Sequence, residues 1–403
     1  MATTSTLELT NTSVSFKISQ ESFYQAISQV SRAVAKHGIQ PVLSNILIQA
    51  DAETKLVTLA ATDLDLALAV SLSADVQKSG EITVPATKTT ELIAKLPHLE
   101  MSFSTNESGS VTIACGRSKF EIRGLSSDQF PKDFINEVPS ENNSLTIPIK
   151  HLQRASHLVS FASDKREVSS ILNGICFEMG EKGIEIAATD GSRLAYYQVN
   201  DYQSAINSKV IVPFRTVNEL SRMIANLNED EEFKCFLPTP SKIVFKSANK
   251  VLSSSLIDGT YPKYQQLIPS SHNNSAILAR DSFLAALERV SVLANERTRV
   301  VKLLFEEAGT LTISANTPDL GEALEQLDLL EYTGQDFSIA FNVSYMSECL
   351  RNLEVEKIEL QMSEPLKPII VNPIFKNEKE ESEKKGVDYS YSYLLMPIQM
   401  KGN

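Results

Sequence analysis

The sequence predicts an α+β protein made of three tandem copies of one domain, each copy a duplicated unit of helix plus β-meander. Three observations carry that reading. The stretch IAATDGSRLA at 186–195 has an earlier counterpart, LAATDLDLAL at 59–68, and a later one, ISANTPDLGEA at 313–323. Each begins as an alternating apolar strand and breaks into a polar turn, at Thr62-Asp63, Thr189-Asp190 and Asn316-Thr317. Next, ITVPATKTTELIAKL from Ile82 returns as VIVPFRTVNELSRMI from Val210 and as IAFNVSYMSECLRNL from Ile339, with Glu91, Glu219 and Glu348 at equivalent places. Finally, helix-like openings stand around Phe23, Leu152 and Phe283, separated by nearly the same step. One period and one order, three times over, mark a repeated domain. A chain of 403 residues suits three domains of about 130.

The elements follow in order. Residues 1–13 read as a flexible polar extension, and repeat one spans 14–139. It opens on a helix at 19–35, where Phe23, Ala26, Ile27, Val30 and Val34 recur at helical spacing. Short β-rich runs at 46–48 and 56–59 flank a turn at 51–54, and the alternating strand at 59–70 comes next. A strand at 81–84 leads through Pro85 into a second helix at 87–96, which Pro97 stops. Strands at 100–105, 110–115 and 118–125 complete the unit. Repeat two, 145–269, keeps the order with helices at 150–162 and 215–227; repeat three, 276–403, has helices at 281–295 and 343–353. Polar, proline-bearing connectors at 136–144 and 269–275 separate the copies. The run KNEKEESEKKGVD at 376–388 reads as a solvated charged loop before a last strand at 389–396.

Several function classes fall away. No apolar run approaches the roughly 18 residues of a membrane span, and the N-terminus lacks the basic and apolar segments of a secretory signal. A cytoplasmic protein with no membrane partner is expected. Cys115, Cys176, Cys235 and Cys349 show no CxxC spacing and read as small buried hydrophobes, and the five histidines are not spaced for a metal. No cofactor is expected. Nucleotide, hydrolase and zincin motifs are missing, so nothing supports catalysis. Asp190, Gly191 and Arg193 read as a β-turn in which Asp caps the backbone and Gly supplies a positive φ. Asp63 and Asp65 read as one exposed face of an alternating strand.

The charges are more informative. A net charge of −12 argues at first against nucleic acid. Yet the helices hold mainly basic residues: Arg32, Lys36, Lys88, Lys95, Lys150, Arg154, Arg215, Arg222, Arg280, Arg289 and Arg351. Loops after first helices add Lys165, Arg166, Arg297 and Arg299. Acidic residues on those helices are fewer, so the acid excess falls on strands and loops.

At this point the chain resembles the bacterial DNA polymerase III β-subunit family, the replicative sliding clamps, along nearly its whole length. The motifs carrying the resemblance are PVLSNILI at 41–48, LNG at 172–174, ATDGSRLA at 188–195, LIDGTYPKYQQLIP at 256–269, FNVSY at 341–345 and the terminal YLLMPIQM. The resemblance implies a head-to-tail homodimer closed into a ring, helices lining a central hole and sheets outside. Twelve helices about 10 Å wide make a circle about 38 Å across through their axes, leaving a hole of about 28 Å. It also implies a non-catalytic processivity factor of DNA replication, associated with the nucleoid, that encircles double-stranded DNA without reading sequence. Partners implied are the polymerase III catalytic subunit, the clamp loader, and other polymerases and repair proteins, all through short peptide motifs.

Residues are carried over one by one. DNA contact falls to His37, Arg154, Lys165, Arg166, Arg215, Arg222, Arg297 and Arg299, with His37 standing where some relatives have a basic residue. The peptide pocket falls to Leu172, Thr189, Gly191, Arg193, Leu194, Pro262, Gln266 and Leu267, closed by Asn342, Tyr345, Leu366, Pro368, Leu395, Met396, Pro397, Ile398 and Met400. The dimer seam falls to Phe120 and Ile122 facing Val292 and Leu293. The tail at 401–403 runs past the usual terminus. The other reading is a scaffold of the same repeats that never closes on DNA, and gel filtration separates the two. A eukaryotic-type clamp has two such domains per chain and closes as a trimer, whereas three repeats stand here.

Overall fold

The computed structural model describes residues 13–35, 40–106, 109–138, 144–166, 170–180, 183–199, 207–225, 227–228, 232–269, 271–318, 320–375 and 389–399. His37, Met400, the extension up to residue 12, the charged run 376–388 and the tail 401–403 lie outside them. The described chain forms two compact units, one from 1–148 and 230–256, the other from 149–229 and 257–403. The middle repeat is thus divided between them.

In the first unit, helices α1 (Gln20–Val30) and α2 (Ala86–Ala94) pack on each other, and the Gln20 side-chain amide donates to the Ile93 carbonyl at 2.7 Å. Ser19 caps α1 by accepting from the Ser22 N–H. α2 follows directly on Pro85, whose fixed φ turns strand into helix. Phe23, Ala26, Ile27 and Val30 form the buried stripe of α1, and Phe23 meets the stacked rings of Phe16 and Phe103. The helix is shorter than its sequence suggested, ending in a tight turn at Ser31–Ala33. That leaves Val34 half-buried.

In the second unit, α3 (Ile149–Val159) packs on α4 (Phe214–Ile224), and α5 (Arg280–Ser291) on α6 (Val343–Asn352). All six expected helices are therefore formed, two in each repeat.

The half-unit needs one correction. Each copy begins with a strand before its first helix, Ser15–Ser19, Ser144–Pro148 and Asn274–Ala279. SFKIS alternates over only five residues, too few to stand out beside the helix that follows. A second correction concerns Asp63 and Asp65, which sit in a turn. Asp63 Oδ1 accepts from the N–H groups of Asp65 and Leu66, and Leu64 holds φ at 80°.

The sheets run across repeat boundaries. In the first unit an eight-stranded antiparallel sheet joins strand Leu66–Ser73 of repeat one to Lys250–Ser255 of repeat two, with Leu68 opposite Leu252. In the second, a nine-stranded sheet joins Arg193–Val199 of repeat two to Tyr389–Leu395 of repeat three, with Ala195 opposite Tyr393. Each junction buries its own core. One gathers Val42, Leu47, Phe130, Phe134, Phe236 and Val244; the other gathers Cys176, Leu194, Ile211, Tyr261, Tyr264, Ile370 and Leu394. All four cysteines are buried and free.

Candidate functional site

The chain reverses at 189–193 between strands Gly183–Thr189 and Arg193–Val199. Gly191 holds φ at 87°, with nothing within 4 Å of where a Cβ would stand. Asp190 Oδ1 accepts from the N–H groups of Ser192 (2.9 Å) and Arg193 (3.2 Å), so the aspartate does cap the turn. Thr189 Oγ1 donates to the Arg193 carbonyl at 2.5 Å and accepts from the Gly191 N–H at 3.1 Å.

Three other segments are tied to this turn. The Thr189 N–H donates to the Tyr261 hydroxyl at 3.1 Å, which fixes the segment running on through Pro262, Gln266 and Leu267. The Met396 N–H donates to the Ser192 carbonyl at 2.9 Å, and Arg193 stands in register with Leu395. Leu395 also pairs with Ile369, next to Pro368, and the Ile398 N–H donates to the Ala340 carbonyl at 2.7 Å. The structure therefore assembles the sequence-predicted set from 189–194, 262–267, 366–369 and 395–398 within one unit.

Burial sorts that set into floor and walls. Thr189, Arg193, Leu194, Pro368 and Leu395 are buried. Gly191, Pro262, Gln266, Leu267, Leu366, Met396 and Ile398 are exposed, and Leu172, Asn342, Tyr345 and Pro397 are half-buried. Asn342 uses its side chain to cap α6, accepting from the Ser344 N–H at 2.9 Å. Exposed leucine, methionine and isoleucine over a buried polar floor make an adaptable apolar surface.

Arg193 is the centre of that floor. Its Nε donates to Asp190 Oδ2 (3.0 Å), its Nη1 to Glu348 Oε2 (2.6 Å) and its Nη2 to the Phe161 carbonyl (2.8 Å). Its guanidinium lies 4.4 Å from the Tyr345 ring centroid and 5.5 Å from that of Phe161. Burial opposes the charge, but Tyr393, Glu348 and Asp190 outweigh it and hold the pKa above its ordinary value. Sequence reasoning placed Arg193 on the pocket wall; the structure makes it the brace beneath. It missed Tyr261, Phe161 and Glu348. Tyr261 lies inside LIDGTYPKYQQLIP, and Glu348 occupies the repeat position shared with Glu91 and Glu219.

The basic set lies on α3, α4 and two loops of the same unit. Lys165, Arg166, Arg215, Arg222, Arg297 and Arg299 are exposed, and Arg154 is half-buried with its guanidinium 5.2 Å from the Tyr389 ring centroid. Acidic neighbours temper this set. Arg166 pairs with Asp164 at 2.9 Å, which lowers the Asp164 pKa, and Arg222 pairs with Glu219 at 2.9 Å. Other helix cations are committed to partners in their own unit. Arg280 donates to the carbonyls of Val355 and Leu350, and Arg289 pairs with Glu325. Among the described residues no group of three or more His, Cys, Asp or Glu could hold a metal, and no helix is long and apolar enough to cross a membrane.

Of the expected seam residues, Phe120 and Val292 are exposed, and Ile122 and Leu293 are half-buried. Strand Ser118–Arg123 is the edge of its five-stranded sheet, and strand Gly321–Asp328 is the edge of the four-stranded sheet.

Comparison with known proteins agrees along nearly the whole length. Family models for the DNA polymerase III beta subunit match as its N-terminal domain at 14–134, its central domain at 146–263 and its C-terminal domain at 265–383. The beta sliding clamp of Synechococcus elongatus is 32% identical over 387 residues, covering 95% of this chain and 98% of that one. That of Synechocystis is 30% identical, covering 94% and 98%. Among solved structures, the Pseudomonas aeruginosa sliding clamp bound to griselimycin shares 27% identity with a TM-score of 0.85, covering 96% of this chain and 100% of that one. The Bacillus subtilis clamp shares 25% with a TM-score of 0.84, at the same coverage.

Proposed function

Because the chain belongs to the DNA polymerase III beta subunit family, the non-catalytic sliding clamps of bacterial replication, we propose that two copies close head to tail around duplex DNA and carry partner peptides in the groove at 189–194. The observation that carries this reading is the repeated junction. The strand after the 186–195 turn in repeat two pairs with the last strand of repeat three, and its counterpart in repeat one pairs with the last strand of repeat two. The remaining members of that series are Gly321–Asp328 of repeat three and Ser118–Arg123 of repeat one, both sheet edges. A second copy joined head to tail satisfies both and closes the series, removing both exposed edges of each chain.

The register follows from the hairpins. Leu252 pairs with Phe245, Tyr393 with Val371 and Phe120 with Ile113, and these are equivalent positions in the three copies. Since Leu252 faces Leu68 and Tyr393 faces Ala195, Phe120 should face Ala323 of the partner subunit. Glu121 then faces Glu322 of the partner subunit, with Lys119 on the diagonal to offset the repulsion. Phe120 and Val292 are exposed in one chain and gain cover at such a seam.

DNA contact falls to Lys165, Arg166, Arg215, Arg222, Arg297 and Arg299, with Arg154 behind them. Long cationic side chains on helices and loops suit phosphate and read no bases, which is what sliding requires. The groove takes a short apolar peptide, the mode by which polymerase and other DNA-processing partners are tethered. The test is topological. The protein should sediment near twice 44.5 kDa, be retained on nicked circular DNA once loaded, and leave when the circle is cut. A stable monomer, or retention on linear DNA with free ends, would refute the ring.

A further inference from the structure

The floor of the groove and the basic loop share one carboxylate. Glu348 Oε2 accepts from Arg193 Nη1 at 2.6 Å, and its other oxygen lies 3.7 Å from Lys165 Nζ. We propose that Glu348 is a counter-ion shared by the partner-peptide groove and the DNA contact at Lys165, so that its charge favours peptide binding and holds back DNA binding. This rests on the groove and DNA assignments above.

The two partners are held unequally. The Arg193 side chain is 6% exposed and closed to the solvent that would replace a lost anion, whereas Lys165 is 50% exposed and can exchange Glu348 for a phosphate. A second connection runs through the backbone. Arg193 Nη2 donates to the Phe161 carbonyl, at the start of the segment that carries Lys165 and Arg166, while its Nε holds Asp190 of the groove turn. One guanidinium therefore fixes both the turn and the root of the basic loop.

The repeats show that this is specific to one junction. Glu91 and Glu219 occupy the position of Glu348 in the other copies, but each pairs with a cation on its own helix, Lys88 and Arg222. Repeats one and three carry Leu66 and Leu320 where repeat two has Arg193. Glu348 thus faces a buried arginine of a neighbouring repeat. A carboxylate beside Lys165 lowers its pull on phosphate, and removing that charge frees it. The same removal leaves Arg193 to rely on Asp190 for its balance.

Glu348→Gln in the full chain tests this, with two titrations by fluorescence anisotropy. One uses a labelled blunt duplex, the other a labelled peptide bearing a glutamine followed by spaced leucines. The duplex should bind about two- to fivefold more tightly, the range of an exposed ion pair, while the peptide weakens about tenfold. Lys165→Ala should weaken duplex binding alone, and in that background Glu348→Gln should bring no gain. Glu348→Asp should restore peptide binding, which separates a charge effect from a fold defect. Affinities that move together, or a duplex gain that persists without Lys165, overturn the coupling. A wild-type protein that binds neither probe overturns the functional reading itself.

Discussion

The seam can be broken without touching the fold. Val292, expected to face Phe120 and Ile122, and Leu324, which on the edge strand Gly321–Asp328 falls opposite Lys119 in the proposed register, are 75% and 64% exposed in the single chain, so truncating them opens no cavity in its core. Val292→Ala removes two carbons and Leu324→Ala three, at about 0.8 kcal/mol per buried carbon. Scaled by the surface each has left to bury, the losses are about 1.2 and about 1.5 kcal/mol. A head-to-tail ring has two seams, so the double variant loses about 5 kcal/mol per ring, more than a thousandfold in dimer dissociation. Sedimentation velocity over a dilution series should show the wild type as a dimer and the variant as a folded monomer at the same concentrations. A dissociation constant within threefold of wild type would refute the seam. So would a large fall in the monomer's own melting temperature, because the two side chains would then belong to the core.

Changing Lys165 and Arg166 to Ala should lower the salt slope of DNA binding by about two, with equal loss on every duplex sequence; sequence-selective loss would contradict phosphate contact. Deleting 396–403 removes the exposed Met396 and Ile398 and should abolish binding of the leucine-bearing peptide while the dimer survives in sedimentation; undiminished binding would refute the groove. Glu81 accepts from Lys132 (2.5 Å), Ser127 (2.7 Å) and Gln49 (2.8 Å). Burial raises its pKa, but those bonds outweigh burial and bring it below the ordinary 4.5. Its contribution is therefore present above pH 4.5 and lost as the pH falls through the lowered value. Glu81→Gln should lower the melting temperature at neutral pH and make little difference in strong acid, and a deficit that persists there would contradict the charge account.

Local chemistry was legible in the sequence, and pairing at a distance was not. Gly191 and Asp190 announced their turn because the forces that shape it act within a few neighbouring positions. The helices were legible by spacing, although α1 and α3 each give way early to a tighter turn. Ser15–Ser19 was missed because five alternating residues carry little signal. The merged sheets were missed for a deeper reason, since nothing in LAATDLDLAL states that Leu68 lies opposite Leu252. The basic residues were likewise visible, but the distant acid that engages Arg289, Glu325, was not.

Arg193 shows what that limit means for function. In sequence it is one of two residues that set the middle turn apart from its copies, which marks the place without giving the role. Its partner Glu348 is 155 residues away in another repeat and has counterparts in Glu91 and Glu219. The glutamate recurs in every copy; at one junction a buried arginine stands where the other copies have leucine, and there Glu348 meets it. The middle turn is therefore asymmetric within a repeated frame, its buried charge balanced by Asp190 and Glu348. An arginine at Leu66 would not copy the groove into repeat one, because Leu64 there projects 62% exposed at φ 80° where repeat two has only Gly191. Both changes are needed together, one to brace the floor and one to clear the space above it.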